Sequence, residues 1–262
     1  MNELFSIEGK TILLTGALGF LGSYFCEELA KAGAHLIIID LDNARCIKFA
    51  EELSKKYNTK NYGYGLDITN ESDVKNTADT VRQNKQNTGK IDVIINNAQG
   101  GLPKDIKELE KLPLENWEKE MKVNTTGAFL IVKHFSGLLK DGGAIINVSS
   151  IYGDCAPDFR IYEGTDMWSP IAYSASKAGL HGMTKYLSVY FSERKIRVNT
   201  LTPGGVESKQ PEIFKEKYSN RVPLRRMAKK DDLLGPLIFL CSNASNYITG
   251  EQIRVDGGLH VW

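Results

Sequence analysis

The chain has 262 residues, 42% of them apolar and 25% charged, with a formal net charge of +1. That composition fits a globular protein with a substantial core, and it offers no basic field for nucleic acid. No apolar run approaches the roughly 20 residues of a membrane-spanning helix, and Met1–Ser6 lacks the basic start and apolar stretch of a signal peptide. Cys26, Cys46, Cys155 and Cys241 form no Cys-x-x-Cys, and His35, His134, His181 and His260 show no metal-ligand spacing. A cytoplasmic protein without a metal centre is expected.

The first apolar run, Thr11–Leu14, reads as a buried strand and leads into Thr15-Gly-Ala-Leu-Gly-Phe-Leu-Gly22, which opens a helix over 20–32. Gly16 permits a tight turn, Gly19 lets the backbone approach a pyrophosphate, and Gly22 lets the helix pack closely. Phosphates would then meet the free N–H groups at the helix start. Such a glycine pattern alone often marks only a turn, so its weight comes from context. The next strand, His35–Ile39, ends in Asp40, placed to accept hydrogen bonds from an adenine ribose and to repel a 2′-phosphate. Neither Leu41 nor Leu18 is basic, so NAD is expected over NADP. Asp42 is the other candidate for the ribose, or else a helix cap.

A helix over 43–57 is followed by the strand Tyr62–Leu66, which ends at Asp67-Ile68-Thr69. A helix over 71–84 then leads to the strand Ile91–Ile95 and Asn96-Asn97-Ala98-Gln99. In open α/β sheets ligands bind beyond the carboxyl ends of strands, which places both segments near adenine and ribose. Asp and Asn are also common strand terminators. Next come a helix over 114–138 and the strand Ala144–Val148, closed by Ser149 and Ser150. A helix over 170–193 carries Tyr173-Ser-Ala-Ser-Lys177, with a predicted apolar stripe of Leu180, Met183, Leu187 and Tyr190. The strand Ile196–Leu201, a helix over 231–241 and the strand Gln252–Val255 complete the pattern. Segments 151–169 and 204–230 break the rhythm and read as an active-site insertion and a substrate-side loop or lid.

This alternation predicts an α/β fold, a doubly wound, mostly parallel sheet with helices on both faces. No linker, composition shift or repeat divides it, so residues 1–262 read as a single domain. Tyr173 and Lys177 are four residues apart and share a helix face. A cation beside the phenol would lower its pKa from about 10 toward the range useful for acid–base chemistry. Ser150 could hold a substrate oxygen beside that phenol. A Ser-His-Asp hydrolase is disfavoured, since no Gly-x-Ser-x-Gly elbow is present.

In order and spacing, Thr15–Gly22, Asp67, Asn96–Ala98, Asn124, Ser150, Tyr173–Lys177, Pro203-Gly204 and Asp256-Gly-Gly resemble the short-chain dehydrogenase/reductase family, compact branch. The resemblance runs nearly end to end and implies a single-domain Rossmann fold. It implies a tetrad of Asn124, Ser150, Tyr173 and Lys177, with Asn124 holding a water that links Lys177 to solvent. It further implies NAD held by Gly16, Leu18, Gly19, Phe20, Leu21, Asp40, Asp67, Ile68, Asn97, Ala98 and Gln99. Tyr173 and Lys177 would hold the nicotinamide ribose, and Pro203, Gly204, Val206 and Ser208 would lie near the carboxamide. A homo-oligomer, dimer or tetramer, built partly through the helices at 114–138 and 170–193 is also implied.

Three departures stand out. Phe20 occupies the place of the compact branch's middle glycine, giving the spacing of the extended sugar-nucleotide branch. Gln99 replaces the glycine of Asn-Asn-Ala-Gly. Ser150 and Tyr173 are 23 residues apart, more than the family's usual spacing, and the extra segment 153–166 carries five charged side chains. Its wording is similar to members associated with flagellin modification and surface polysaccharides. A charged insertion makes a poor wall for an acyl chain, so a polar, sugar-like alcohol or ketone is expected, with Arg160 or Lys104 as candidate anchors. Reduction of a 3-oxoacyl thioester, a sugar-nucleotide epimerase or dehydratase, and an inactive nucleotide-binding regulator are the alternatives.

Overall fold

A computed structural model describes residues 3–84, 89–101 and 108–261. The strands are β1 (Thr11–Thr15), β2 (His35–Asp40), β3 (Tyr62–Gly65), β4 (Ile91–Asn96), β5 (Leu139–Val148), β6 (Arg197–Pro203) and β7 (Gln252–Val255). They form one parallel sheet in the order β3-β2-β1-β4-β5-β6-β7. The helices are α1 (Gly22–Lys31), α2 (Asn43–Tyr57), α3 (Glu71–Gln83), α4 (Leu114–Met121), α5 (Ala128–Phe135), α6 (Ile171–Tyr190), α7 (Glu212–Arg221) and α8 (Lys230–Cys241).

Side chains alternate across a strand, and here both faces are covered, which is why the strands read as unbroken apolar runs. Ile12, Leu14, Leu36, Ile38 and Ile95 pack beneath α1 and α8, against Phe25, Leu29, Leu233 and Leu237. Leu13, Ile37, Ile39, Ile94 and Ile145 face the other way, against Val74 and Val81 of α3 and Ile131 and Phe135 of α5. Local capping sets the helix starts. The Asp42 carboxylate accepts from the Arg45 N–H and begins α2, and the Asn70 side chain accepts from Ser72 and Asp73 to begin α3. Asp42 is therefore a cap.

Three expectations need correction. The helix over 114–138 is not one regular cylinder: α4 passes through a π-helical segment, Lys122–Gly127, before α5. Residues 204–230 are not simply a loop, because they contain α7, which buries Phe214 and Tyr218, four residues apart on one face. On α6 the buried face is Ala172, Ser176, Lys177, Leu180, His181 and Thr184, whereas Tyr190 of the predicted stripe is exposed. The inward face of α6 is thus largely polar, turned toward the site rather than toward an oily core.

The chain builds β1, β2 and β3 outward, then returns to place β4 on the other side of β1. That reversal opens a crevice beyond the carboxyl ends of β1 and β4, the ligand-binding point of doubly wound sheets.

Candidate active site

A cleft of about 1310 Å³ fills the crevice. Gly16 forms its floor with φ +66°, a left-handed conformation, and a Cβ there would lie 2.7 Å from Ala98 Cα. Only a glycine lets the β1 turn settle onto the end of β4. Asn97 fastens the two: its side-chain NH₂ donates to the Thr15 and Gly16 carbonyls at 3.0 and 3.2 Å. The Thr15 hydroxyl accepts from the N–H groups of Asn97 and Ala98. Asp40 accepts from Leu18 N and Leu41 N, each at 2.8 Å, bracing the glycine loop from the β2 side.

Leu18, Gly19, Phe20, Leu21, Asp67, Ile68, Gln99, Tyr173 and Ser208 line the same cleft. Pro203, Gly204 and Val206 do not line it. Gly204 instead borders a separate pocket of about 160 Å³ with Tyr218, Arg226 and Asp256, and Val206 bridges to Ala228.

At one end of the cleft, α6 brings Tyr173 and Lys177 against the end of β5. Lys177 is buried (2% exposed), donates to the Val148 carbonyl at 3.0 Å, and stands 5.8 Å from the Tyr173 ring centre. Burial pulls the Lys177 ammonium down to about 8. The Tyr173 residue is partly exposed, but its phenol end is enclosed, and burial pushes it up to about 12 against hydrogen bonding with the Ser150 side chain. The expected lowering of Tyr173 by Lys177 is not found: desolvation raises the phenol, and the group that lowers it is the Ser150 side chain. Ser150 begins a 3-10 turn and accepts from Tyr152 N at 3.2 Å, whereas Ser149 donates to the Lys177 carbonyl at 3.0 Å and ties α6 to the sheet.

Asn124 lies inside the π-helical segment with its amide fully engaged. It donates to Glu120 Oε1 at 2.7 Å and Ser176 Oγ at 2.9 Å, and accepts from Gly100 N at 3.0 Å. A water on Asn124 would have to use its main-chain carbonyl.

A family model described as enoyl-(acyl carrier protein) reductase matches residues 16–260. A 3-oxoacyl-[acyl-carrier-protein] reductase of Thermotoga maritima is 34% identical over 97% of this chain and 98% of its own. The post-translational flagellin modification protein A of Campylobacter coli is 30% identical, covering 96% and 98%. The chain belongs to the short-chain dehydrogenase/reductase family. It is accordingly an oxidoreductase that acts on alcohol or ketone groups with a nicotinamide cofactor. Among solved structures, a putative NAD(P)-dependent gluconate 5-dehydrogenase of Beutenbergia cavernae with bound NADP superposes with a TM-score of 0.82. Its identity is 26%, over 99% of this chain and all of that one.

The cleft of this short-chain dehydrogenase/reductase fits such a cofactor. A Cβ at Gly19 would meet no side chain, only the Gly16 carbonyl at 3.2 Å, and no side chain caps the start of α1, which leaves its N–H dipoles for phosphate. Lys230 of α8 stands 4.1 Å from the Phe20 ring centre, which places a cation beside this loop.

The insertion differs from its expected character. Four of its five charges are in ion pairs: Asp158 binds Arg160 and Arg221 at 2.8 and 2.9 Å, Glu163 meets Lys217, and Asp154 meets Arg254. Its inner side is aromatic. Phe159 stacks on Trp168 at 4.4 Å, and Tyr162 packs on Phe214 at 5.3 Å. Ile161, Tyr162, Phe214, Tyr218, Val222 and Met227 form a third apolar cluster that joins the insertion to α7. Arg160 is not brought to the cleft: its side chain is 71% exposed and held by Asp158. Lys104 lies outside the described residues. The sequence reading missed Arg45, Tyr152, Tyr162, Met167 and Trp168 as cleft-lining residues. For Arg45 the signal was available, five residues after Asp40 in the first turn of α2; the aromatics needed the path of the insertion.

Proposed function

We propose that this enzyme interconverts a secondary alcohol and its ketone with NAD(H), and that Ser150, Tyr173, Lys177 and Asn124 carry the reaction. The supporting observation is that Tyr173, which lines the cleft, hydrogen-bonds with Ser150 and has Lys177 Nζ 5.8 Å from its ring centre. A bound nicotinamide supplies the hydride acceptor for oxidation and the hydride donor for reduction. Ser150 orients the substrate oxygen. In reduction, Tyr173 donates its phenolic proton to that oxygen; in oxidation, the phenolate takes the alcohol proton. A phenol near 12 is a ready donor but a reluctant base. Oxidation therefore depends on Lys177 remaining an ammonium beside it.

For the substrate we favour a polar, sugar-like molecule. None of the insertion's charged residues lines the cleft. The support is now the aromatic wall of Trp168, Tyr162 and Tyr152, with ring surface suited to the C–H face of a sugar and, on the two tyrosines, a hydrogen-bonded pair of hydroxyls. The similarity to a flagellin modification protein agrees with this. A second reading, 3-oxoacyl thioester reduction, is favoured by an apolar cavity of about 650 Å³ along Leu109, Leu112, Pro157, Phe159 and Ile171. A panel of sugars and acyl thioesters separates the two: turnover of thioesters alone would overturn the sugar reading.

NAD is preferred over NADP on the strength of Asp40, with Arg45 the one cation lining that end of the cleft among the described residues. Comparable KM values for NADH and NADPH would refute the preference. We place the protein, as a single domain, in a reducing cytoplasm: its four cysteines are free and, among the described residues, no helix is long and apolar enough to cross a membrane. A homo-oligomer is supported by exposed Phe129 on α5 and Tyr186, Val189 and Tyr190 on α6. Light scattering that gives a monomer mass would overturn that assignment.

A further inference from the structure

The most unusual group near the proposed proton-transfer centre is Glu120, a carboxylate 1% exposed, in the last turn of α4. Glutamate is seldom buried without a partner. Oε1 accepts from Asn124 at 2.7 Å, and Oε2 is buried with no hydrogen-bond partner among the described residues. Oε2 occupies the space above Gly100, where a Cβ would approach it to 2.9 Å, and Gly100 N donates in turn to Asn124. The carboxylate also acts electrostatically on Lys177 and on Tyr173, both from α6, and on its own helix it feels Lys119.

We infer that Glu120 is a positioning residue of the proton-transfer centre: its buried carboxylate orients the Asn124 amide and holds Lys177 in its ammonium form. The inference rests on the reading of Tyr173 and Lys177 given above. The orienting role follows from hydrogen-bond logic. A carboxylate accepts only, so the Asn124 NH₂ must face Glu120 and its carbonyl must face Gly100 N. The electrostatic role follows from the burial of Lys177. A fully desolvated ammonium sheds its proton near neutral pH unless an opposite charge faces it, and among the described residues only Glu120 exerts that pull. Burial raises the Glu120 pKa, but the Asn124 hydrogen bond and the Lys177 charge both favour its ionised form. The same negative charge raises the Tyr173 pKa, so Glu120 favours proton retention at both neighbours.

The test needs no substrate. Lys177 is titrated through the pH dependence of stability, as the difference between melts of each protein and its own Lys177→Met counterpart. Wild type, Glu120→Gln, Glu120→Met and Glu120→Asp are compared. Loss of the charge should lower the Lys177 midpoint by roughly one pH unit in Gln and Met, the scale of one charge acting across a protein interior. Asp keeps the charge and should stay near wild type. An unmoved midpoint in whichever neutral variant folds would overturn the inference. So would an equal shift in Asp, since shape rather than charge would then be responsible. Failure here leaves the proposed reaction to its own test, loss of turnover in Tyr173→Phe.

Discussion

Gly16→Ala probes the seam on which the whole cleft depends. The substitution places a side chain at φ +66°, which costs an L-residue about 1–2 kcal/mol. Its Cβ would lie 2.7 Å from Ala98 Cα, about 0.7 Å short of the 3.4 Å at which ordinary contact begins. The two nearest atoms belong to the backbone of Ala98, with Asn97 Nδ2 next at 3.2 Å, so moving a side chain cannot relieve the contact and the turn must lift. Lifting stretches the Asn97 bonds to Thr15 and Gly16, now 3.0 and 3.2 Å. Together these effects should destabilise the fold by roughly 2–4 kcal/mol, which a typical domain survives. NADH affinity should fall at least about tenfold, since the loop no longer presents its N–H groups in register. Fluorescence titration with NADH, beside a thermal melt, reads both quantities. Gly19→Ala is the control: its φ is not positive and its Cβ would sit 3.2 Å from the Gly16 carbonyl. That variant should melt close to wild type yet still bind NADH weakly, because the methyl group stands where the phosphates must approach. A folded Gly16→Ala protein with NADH affinity within twofold of wild type would refute the cradle argument.

Tyr173→Phe should abolish turnover, by at least about a hundredfold, while calorimetry still finds NADH bound; retained activity would remove the phenol from the mechanism. Arg160→Ala should leave the KM of the true substrate unchanged, because Asp158 already holds that guanidinium outside the cleft; a large rise in KM would restore it as an anchor. Lys177→Met gives a signed pH effect. The Lys177 pKa falls from 10.5 in the unfolded chain to about 8 when folded, so between those values the unfolded state binds more protons. Wild-type stability should therefore rise relative to Lys177→Met as pH climbs from 8 to 10.5, by at most about 3 kcal/mol. Paired melts across that range check it, and a flat difference would mean that Lys177 is not desolvated as described.

The strands and their order of appearance were legible because burial on both faces writes itself as Ile, Val and Leu without interruption, as in Leu36–Ile39. Gly16, Asp40, Asn97 and Tyr173 were legible for a different reason: each ends a strand or opens a helix, where the topology converges. What stayed hidden depends on orientation. Glu120 sits in Trp-Glu-Lys-Glu-Met, a run that reads as a solvated helix surface until α4 is laid against α6. The π-helical segment has no spacing signature. The charges of the insertion were counted correctly, but the pairing of Asp158 and Glu163 with Arg221 and Lys217 needs α7 packed against it. The Tyr173–Lys177 spacing does bring the two side chains together, but desolvation raises the phenol instead of lowering it.

The third apolar cluster has a consequence for how this enzyme could be redesigned. Ile161 and Tyr162 come from the insertion, Phe214 and Tyr218 from α7, and the salt bridges Asp158–Arg221 and Glu163–Lys217 bind the same two pieces from outside. Separated by some fifty positions in the chain, they behave as one part. A chimera that imports a relative's insertion alone would leave α7 with an apolar face and without its contacts to Asp158 and Glu163. Grafts of specificity between family members should therefore travel as a matched set, 151–169 with 204–230, or not at all.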